Sequence, residues 1–303
     1  MGNQELIEKI IKLKEERKAV ILAHNYQRGE VQDIADFVGD SLGLSQQAAK
    51  TDAKVIVFCG VHFMAETAAM LSPDKVVLLP DLNAGCPMAD MINVEQLREE
   101  KKKYPGSPVV CYVNSTAEVK AECDVCCTSS NAVKVVERLG DGKPIIFIPD
   151  QYLGAYTASK TKKKLILWPG YCPTHMKIGA DDIINLKKKH LHAEVLVHPE
   201  CRPEVIAQAD FALSTDGILK RARQSLAKEF IIGTELGITH RLKKENPEKI
   251  FIPASQHAVC PNMKLITLEK ILWALERMEY HVTVPSEIRE RAIHAVNRML
   301  EIV

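Results

Sequence analysis

The dipeptide Cys-Pro occurs three times in similar surroundings, in NAGCPMAD at 83–90, PGYCPTHMK at 169–177 and QHAVCPNMK at 256–264. The cysteines are spaced by 86 and 88 residues. Seven residues after each cysteine, a segment with helical spacing of its apolar residues begins, at Asn93, Gly179 and Thr267. A recurring period of this kind indicates an internal repeat, so the sequence predicts three copies of one structural unit.

Short strands rich in valine and isoleucine alternate with the helical segments. The three helices after Cys-Pro are followed by PVVCYVN at 108–114, AEVLVHPE at 193–200 and HVTVP at 281–285, and the N-terminal helix is followed by KAVILAHNY at 18–26. Strands separated by helices favour parallel βαβ units with right-handed crossovers. We therefore expect an α/β fold of three similar small αβα domains related by pseudo-threefold symmetry.

The repeat sets the expected domain boundaries. The three copies span residues 1–88, 89–174 and 175–263, and residues 264–303 form C-terminal helices that close the ring. Ligands of open α/β sheets collect at the carboxyl ends of the strands, so equivalent loops of three domains can meet at one centre. We expect the functional site there.

A second repeated series places a hydroxyl at an equivalent point of each copy. Ala35-Asp36-Phe37 and Ala209-Asp210-Phe211 match, Cys123-Asp124-Val125 is a looser relative, and five residues after each Asp stand Ser41, Ser129 and Thr215. Each hydroxyl opens a helical segment, which predicts three N-caps. A hydroxyl beside the free amides of a helix N-terminus also suits an anion, so a carboxylate or phosphate site is the second interpretation.

A third series compares the ends of the copies. Gly60 to Pro80 and Gly233 to Pro253 both span 21 residues, and they end in VVLLP and IFIP. The middle copy has IIFIP ending at Pro149. This alignment predicts that the middle copy is internally shortened.

Thiolate chemistry is the first function that the repeat indicates. Each Cys-Pro lies in a loop between a strand and a helix, where amides and the helix dipole are expected to lower a thiol pKa. Soft thiolates select zinc, copper(I) or iron-sulfur clusters. Structural zinc wants a fourth protein ligand, whereas a cubane held by Cys86, Cys172 and Cys260 leaves one iron open as a Lewis acid. The other six cysteines, including the C-x-x-C-C run at 123–127, are interpreted as structural.

Polar residues at the ends of equivalent strands supply the other candidate groups. They come in pairs two residues apart, which places both members on one face of the strand: His24 with Tyr26, Tyr112 with Asn114, and His198 with Glu200. Such side chains can donate, accept and remove protons around an open metal. His175, three residues after Cys172, either contacts the substrate or supports the loop.

Composition limits the classes of partner. Forty basic and thirty-nine acidic residues give a net charge of +1, which offers no large field for nucleic acid or an anionic membrane. There is no apolar run of membrane-spanning length. The sequence contains neither G-x-G-x-x-G nor G-x-x-x-x-G-K-[ST], the two glycine motifs that bind nucleotides. Nine cysteines without a secretory signal argue for thiols or metal ligands, so we expect a cytoplasmic enzyme.

The sequence resembles the quinolinate synthase family over nearly its whole length. The resemblance is carried by AHNYQ at 23–27, ADFVGDSL at 35–42, CPMA at 86–89, YVNS at 112–115, TSSNAV at 128–133, CPTH at 172–175, HPEC at 198–201 and AVCPNMK at 258–264. Ser130 is a small departure, because the family pattern leads us to expect alanine there.

The resemblance implies a reaction, a cofactor and roles for residues. Iminoaspartate and dihydroxyacetone phosphate would condense to quinolinate for NAD biosynthesis, with iminoaspartate supplied by an aspartate-oxidising enzyme. A [4Fe-4S] cluster would be held by Cys86, Cys172 and Cys260. The substrate-binding set implied is His24, Ser41, Tyr112, Asn114, Ser129, His175, His198, Glu200 and Thr215; the catalytic set is His24, Tyr26, Tyr112, His198 and Glu200, with Glu200 as general base.

Three alternatives compete with this interpretation. Another hydro-lyase with an open iron would share the cluster and the carboxylate sites but would not need two substrates. An electron carrier or iron sensor would not need His, Tyr and Glu beside the cluster. A zinc aldolase is the third alternative, and iron and sulfide analysis separates it from the others.

Overall fold

The computed structural model describes residues 2–140 and 142–302, which contain three separate four-stranded sheets. Every pairing within the three sheets is parallel. Helices flank each sheet, so the expected α/β fold of three similar domains is confirmed.

In the first domain the strands are β1 (Ala19–His24), β2 (Phe37–Gly39), β3 (Val55–Cys59) and β4 (Val76–Leu78), in the order β2-β1-β3-β4. Its helices are α1 (Asn3–Glu16), α2 (Gly29–Ile34), α3 (Ser41–Lys50) and α4 (His62–Leu71).

In the second domain the strands are β5 (Val109–Tyr112), β6 (Val125–Cys127), β7 (Ile145–Ile148) and β8 (Leu165–Leu167), in the order β6-β5-β7-β8. Its helices are α5 (Val94–Lys103), α6 (Ala117–Lys120), α7 (Ala132–Arg138) and α8 (Gln151–Lys160).

In the third domain the strands are β9 (Glu194–Val197), β10 (Phe211–Ala212), β11 (Glu229–Gly233) and β12 (Ile250–Pro253), in the order β10-β9-β11-β12. Its helices are α9 (Ala180–Lys189), α10 (Pro203–Ile206), α11 (Thr215–Gln224) and α12 (Ile238–Glu245), and the C-terminal helices are α13 (Leu268–Arg277) and α14 (Ser286–Leu300).

One aspartate in each domain fixes the first pair of strands. The repeated aspartates each accept a hydrogen bond from a backbone amide of the central strand beside them, at 2.7–2.8 Å. The donors are Ile21 of β1 for Asp36, Val109 of β5 for Asp124 and Val195 of β9 for Asp210. The same contact therefore recurs in all three sheets, which explains the repeated aspartate of the sequence.

The helices predicted after Cys-Pro are confirmed, and Asn93, Gly179 and Thr267 are their N-cap residues. The strand predicted from HVTVP is wrong. His281 forms only an isolated antiparallel bridge to Leu78 at the edge of the first sheet. The equivalent segments of the other copies form β5 and β9, each a central strand of the next sheet. After HVTVP no further sheet follows in the described part of the chain, which continues into α14.

The alignment of IIFIP with the last strand of the other copies is also wrong. IIFIP forms β7, which lies beside β5 as β3 lies beside β1 and β11 beside β9. The counterpart of β4 and β12 is β8, which the sequence pattern did not single out. The middle copy therefore has all four strands.

The C-terminal helices pack on the first two domains. Helix α13 packs on α1, and α14 packs on β6, α6 and α4. Across residues 2–140 and 142–302, the length and apolar character needed to cross a membrane do not occur together in any helix.

Candidate active site

A cavity of about 180 Å³ lies at the carboxyl ends of the central strands of the three sheets. Every candidate residue of the sequence analysis lines it: His24, Tyr26, Ser41, Cys86, Tyr112, Asn114, Ser129, Cys172, His175, His198, Glu200, Thr215 and Cys260. Since these residues come from all three domains, the cavity is a product of the repeat.

The three cysteines of the Cys-Pro loops are free, partly buried thiols. Burial raises the pKa of Cys86 to about 12, with a further contribution from the nearby Cys260. Burial also raises the pKa values of Cys172 and Cys260. The expectation of lowered thiol pKa values is wrong, because desolvation outweighs the hydrogen bonds from the loop amides. These thiols need a cation to ionise.

The donor set fits a thiophilic metal group. Each cysteine comes from an equivalent loop, and all three line the same cavity. Three thiolates suit an iron-sulfur cluster that keeps one open iron. Cys172, His175 and Glu200 form a second possible donor set, with ligand atoms within 4.8 Å of one another.

His24 and His198 are held as neutral hydrogen-bond donors toward the cavity. Their Nδ1 atoms accept the backbone amides of Tyr26 (3.1 Å) and Glu200 (3.3 Å). Burial lowers the pKa of both imidazoles to about 3. The proton of each neutral ring therefore lies on Nε2.

Glu200 is a buried carboxylate surrounded by proton donors. Burial alone would raise its pKa, but His175 and a hydrogen bond from Tyr112 outweigh it and lower the pKa to about 2. Its Oε2 lies 2.7 Å from Nδ1 of His175. Burial and the negative charge of Glu200 raise the pKa of Tyr112 well above its usual value. Glu200 is thus ionised and Tyr112 is protonated.

Thr234 connects Tyr26 to His175, and the sequence analysis did not identify it. Its Oγ1 lies 2.5 Å from the Tyr26 hydroxyl and 2.9 Å from Nε2 of His175. These hydrogen bonds join Tyr26 to His175, and a close contact that lacks hydrogen-bond geometry joins His175 to Glu200. Thr234 belongs to no repeated motif, so only the folded structure could reveal it.

The three repeated hydroxyls are not N-caps, so that prediction is wrong. Asp40 caps α3 by accepting from Gly43 at 2.8 Å, Ser214 caps α11, and Asn131 is the cap position of α7. Each hydroxyl is adjacent or close to the cap instead. This shift frees the hydroxyls from capping and directs them to the cavity.

Two of these hydroxyls are oriented by neighbouring donors. Nε2 of His198 lies 3.1 Å from Oγ of Ser129, and Nδ2 of Asn25 donates to Oγ1 of Thr215 at 2.9 Å. Because both oxygens accept, their own hydrogens can be donated to a ligand. The Oδ1 atom of Asn114 is buried without a partner in the described part of the chain, so it can accept from a ligand.

Asp40 and Glu235 also line the cavity, and the sequence analysis missed both. Burial and the nearby Asp216 together raise the pKa of Asp40 to about 6. Ser130 donates a hydrogen bond to Asp40, so the residue at this small departure from the family pattern supports the cavity wall. The one sequence feature that could have indicated Asp40 as a cavity residue is its position directly before Ser41.

Comparison with known proteins agrees with this geometry. The model of the family described as Quinolinate synthetase A protein matches residues 8–301. The chain belongs to this family. It is 63% identical over 295 residues to the quinolinate synthase of Dehalococcoides mccartyi strain CBDB1, covering 97% of each chain.

More distant relatives cover the chain equally well. The quinolinate synthase of Methanosarcina barkeri is 56% identical over 302 residues, covering 100% of this chain and 99% of the relative. That of Thermodesulfovibrio yellowstonii is 56% identical over 298 residues, covering 98% of each. The relatives named quinolinate synthase are enzymes, and this chain is an enzyme of the same family.

Proposed function

We propose that this chain condenses iminoaspartate with dihydroxyacetone phosphate to give quinolinate, phosphate and water for NAD biosynthesis. One observation carries the proposal: donors, acceptors, a buried carboxylate and three cysteines from all three domains line one cavity. A dicarboxylate, a phosphate ester and an imine need such a combination of groups. Membership of the quinolinate synthetase A family supports the assignment.

Substrate binding is assigned to the neutral donors. The hydroxyls of Ser41, Ser129 and Thr215 stand at or near helix N-termini, where the helix dipoles favour anions. They would donate to carboxylate and phosphate oxygens, and Nε2 of His24 would donate beside them. Asn114 would accept from the substrate nitrogen or a hydroxyl through its free Oδ1.

Proton transfer is assigned to Glu200 and Tyr26. Glu200 is the general base, since its carboxylate is ionised and lies within contact of His175 and Tyr112. Tyr26 would exchange a proton with the substrate through its hydroxyl, which hydrogen bonds through Thr234 connect to His175. His175 in turn contacts Glu200 at 2.7 Å. The reaction releases phosphate and two waters and requires no external oxidant.

The three cysteines are assigned to a [4Fe-4S] cluster. Cys86, Cys172 and Cys260 would hold it, and its open iron would supply Lewis-acid chemistry for the loss of hydroxide. Cytoplasmic location and supply of iminoaspartate by an aspartate-oxidising enzyme belong to the same proposal.

The requirement for both substrates tests this proposal. Protein purified without oxygen is expected to form quinolinate only when iminoaspartate and dihydroxyacetone phosphate are both present. The Glu200→Gln variant is expected to keep its iron and lose turnover. A protein that turns over one hydroxy acid alone, without dihydroxyacetone phosphate, is instead the rival hydro-lyase.

A mononuclear metal lyase is the second candidate, because Cys172, His175 and Glu200 can converge on one ion. Zinc accepts such a mixed set of sulfur, nitrogen and oxygen ligands. Metal analysis separates the two: zinc without sulfide favours the lyase, and iron with sulfide favours the synthase.

A further inference from the structure

Glu235 is a completely buried carboxylate with contacts in two loops. It stands two residues after β11, and its Oε1 accepts the backbone amide of Cys260 at 3.1 Å. Its Oε2 accepts the amide of Gly237 at 2.6 Å. A carboxylate buried to this extent requires a cation and hydrogen bonds to remain charged.

Lys264 supplies that cation and adds a third loop. Its Nζ lies 3.0 Å from Oε1 of Glu235 and also donates a hydrogen bond to the backbone carbonyl of Tyr26. Arg28 donates to the carbonyl of Lys264 at 2.9 Å, a second bond between the same two loops. The ion pair thus joins the loop after β1, the loop after β11 and the third Cys-Pro loop.

The packing around the ion pair depends on a glycine. A Cβ atom on Gly237 would lie 2.6 Å from the carbonyl oxygen of Tyr26 and 2.7 Å from Nζ of Lys264. Both distances are too short for a real contact. The close approach of the loops around Tyr26 therefore requires glycine at this position.

Among the described residues, an ion pair that links this strand end to its Cys-Pro loop occurs only in the third domain. The positions two residues after β3 and β7 are Val61 and Asp150. Val61 has no charge, and Oδ1 of Asp150 accepts only amides at the start of α8, those of Tyr152 and Leu153. Backbone hydrogen bonds connect this strand end to its Cys-Pro loop in all three copies, from His62 to Ala84, from Gln151 to Gly170 and from Leu236 to Ala258. The third copy adds the ion pair of Glu235 and Lys264.

From these contacts we infer that Glu235 and Lys264 form a positioning pair that fixes the Tyr26 loop against the Cys260 loop. The pair holds the Tyr26 hydroxyl on Thr234, which directly precedes Glu235, and it holds the backbone of Cys260 in place for its metal group. This inference rests on the proposed function, in which Tyr26 transfers a proton and Cys260 is a ligand.

A double-mutant cycle tests whether Lys264 acts through Tyr26. In the anaerobically purified full chain, Lys264→Met is expected to lower kcat about tenfold, with a change in either KM below about twofold. In the Tyr26→Phe background the same substitution is expected to change the residual kcat by less than about twofold, because the group that it positions is gone.

Lys14→Met is the matched control. Lys14 pairs with Asp36 at 2.6 Å, its side chain is 21% exposed against 19% for Lys264, and Asp36 likewise accepts a backbone amide. Its removal is expected to leave kcat unchanged. Gly237→Ala is expected to lower kcat as Lys264→Met does, since the added methyl group displaces the same loops.

Cluster release gives a readout that does not depend on activity. We would follow the loss of visible absorption after adding an iron chelator, and expect it to be at least about threefold faster in Lys264→Met and Glu235→Ala than in the parent protein. Lys14→Met should match the parent. Equal fold losses of kcat in both Tyr26 backgrounds, or unchanged release rates, would overturn the inference. Absence of quinolinate from the parent protein would instead contradict the proposed function, and the release rates would still test the link to Cys260.

Discussion

The chain contains two groups of cysteines with different surroundings. The loop group is Cys86, Cys172 and Cys260, one from each domain, and all three line the cavity. The strand group, Cys111, Cys126 and Cys127, lies within the second sheet and is completely buried. Cys111 and Cys126 are free thiols that lie opposite each other in the register of β5 and β6. The residue type is the same, so position in the repeat decides which thiols can reach a ligand.

The strand group gains its burial from packing. Helix α14 packs on β6, which covers this part of the sheet. Its thiols are therefore covered by protein and do not line the cavity. The cysteines of the loop group lie outside the strands, and those of all three domains line the same cavity. Substitutions in and around the two groups should therefore have very different effects.

The largest effect is expected for Cys86→Ser. A serine hydroxyl is a poor substitute for a thiolate ligand, so iron content should fall below about a third of the parent value and quinolinate formation should fall to background. Iron and sulfide analysis after anaerobic purification measures the first effect. Retention of full iron would remove Cys86 from the ligand set.

The next largest effect is expected for Glu200→Gln. The amide keeps the shape but cannot accept a proton, so kcat should fall about a thousandfold while iron and sulfide stay at the parent level. Turnover at saturating substrates and metal content are measured on the same sample. An unchanged kcat would remove Glu200 from the role of general base.

A smaller effect is expected for Ser41→Ala. Loss of one hydrogen bond to an anion should raise the KM of one substrate about tenfold, with little change in iron content. Ser45→Ala is the control: Ser45 is on the same helix, and its hydroxyl donates to the carbonyl of Ser41 at 2.7 Å without lining the cavity. Equal changes in KM for the two variants would assign the effect to the helix.

The smallest effect on the site is expected for Cys126→Ser. Iron content and kcat should stay near the parent values, whereas burial of a hydroxyl should lower the free energy of unfolding by about 1–3 kcal/mol. Thermal unfolding and iron analysis measure the two outcomes. Loss of iron in this variant would contradict the distinction between the two groups.

Much of the fold follows from local patterns. The helices after Cys-Pro begin where Asn93 and Thr267 can cap them, and a repeated aspartate fixes each first strand pair. HVTVP shows where local pattern fails, because a strand needs a sheet to join. The alignment of IIFIP failed for a similar reason: the strand order of a sheet is a tertiary property.

The site was predictable only where the repeat marked it. Strand-end pairs and Cys-Pro loops indicated residues that the structure brings to one cavity. Thr234 and Glu235 carry no repeated pattern, and their importance comes from contacts with loops distant in sequence. The raised pKa values of the cysteines likewise depend on burial, which no local motif specifies.

The central claim is that the loop group holds an iron-sulfur cluster beside the proposed substrate site. It is tested most directly by counting iron and acid-labile sulfide in anaerobically purified protein while assaying quinolinate formation from iminoaspartate and dihydroxyacetone phosphate. We predict about four irons and about four sulfides per chain, together with quinolinate. Zinc without sulfide, or a full cluster that yields no quinolinate, would contradict it.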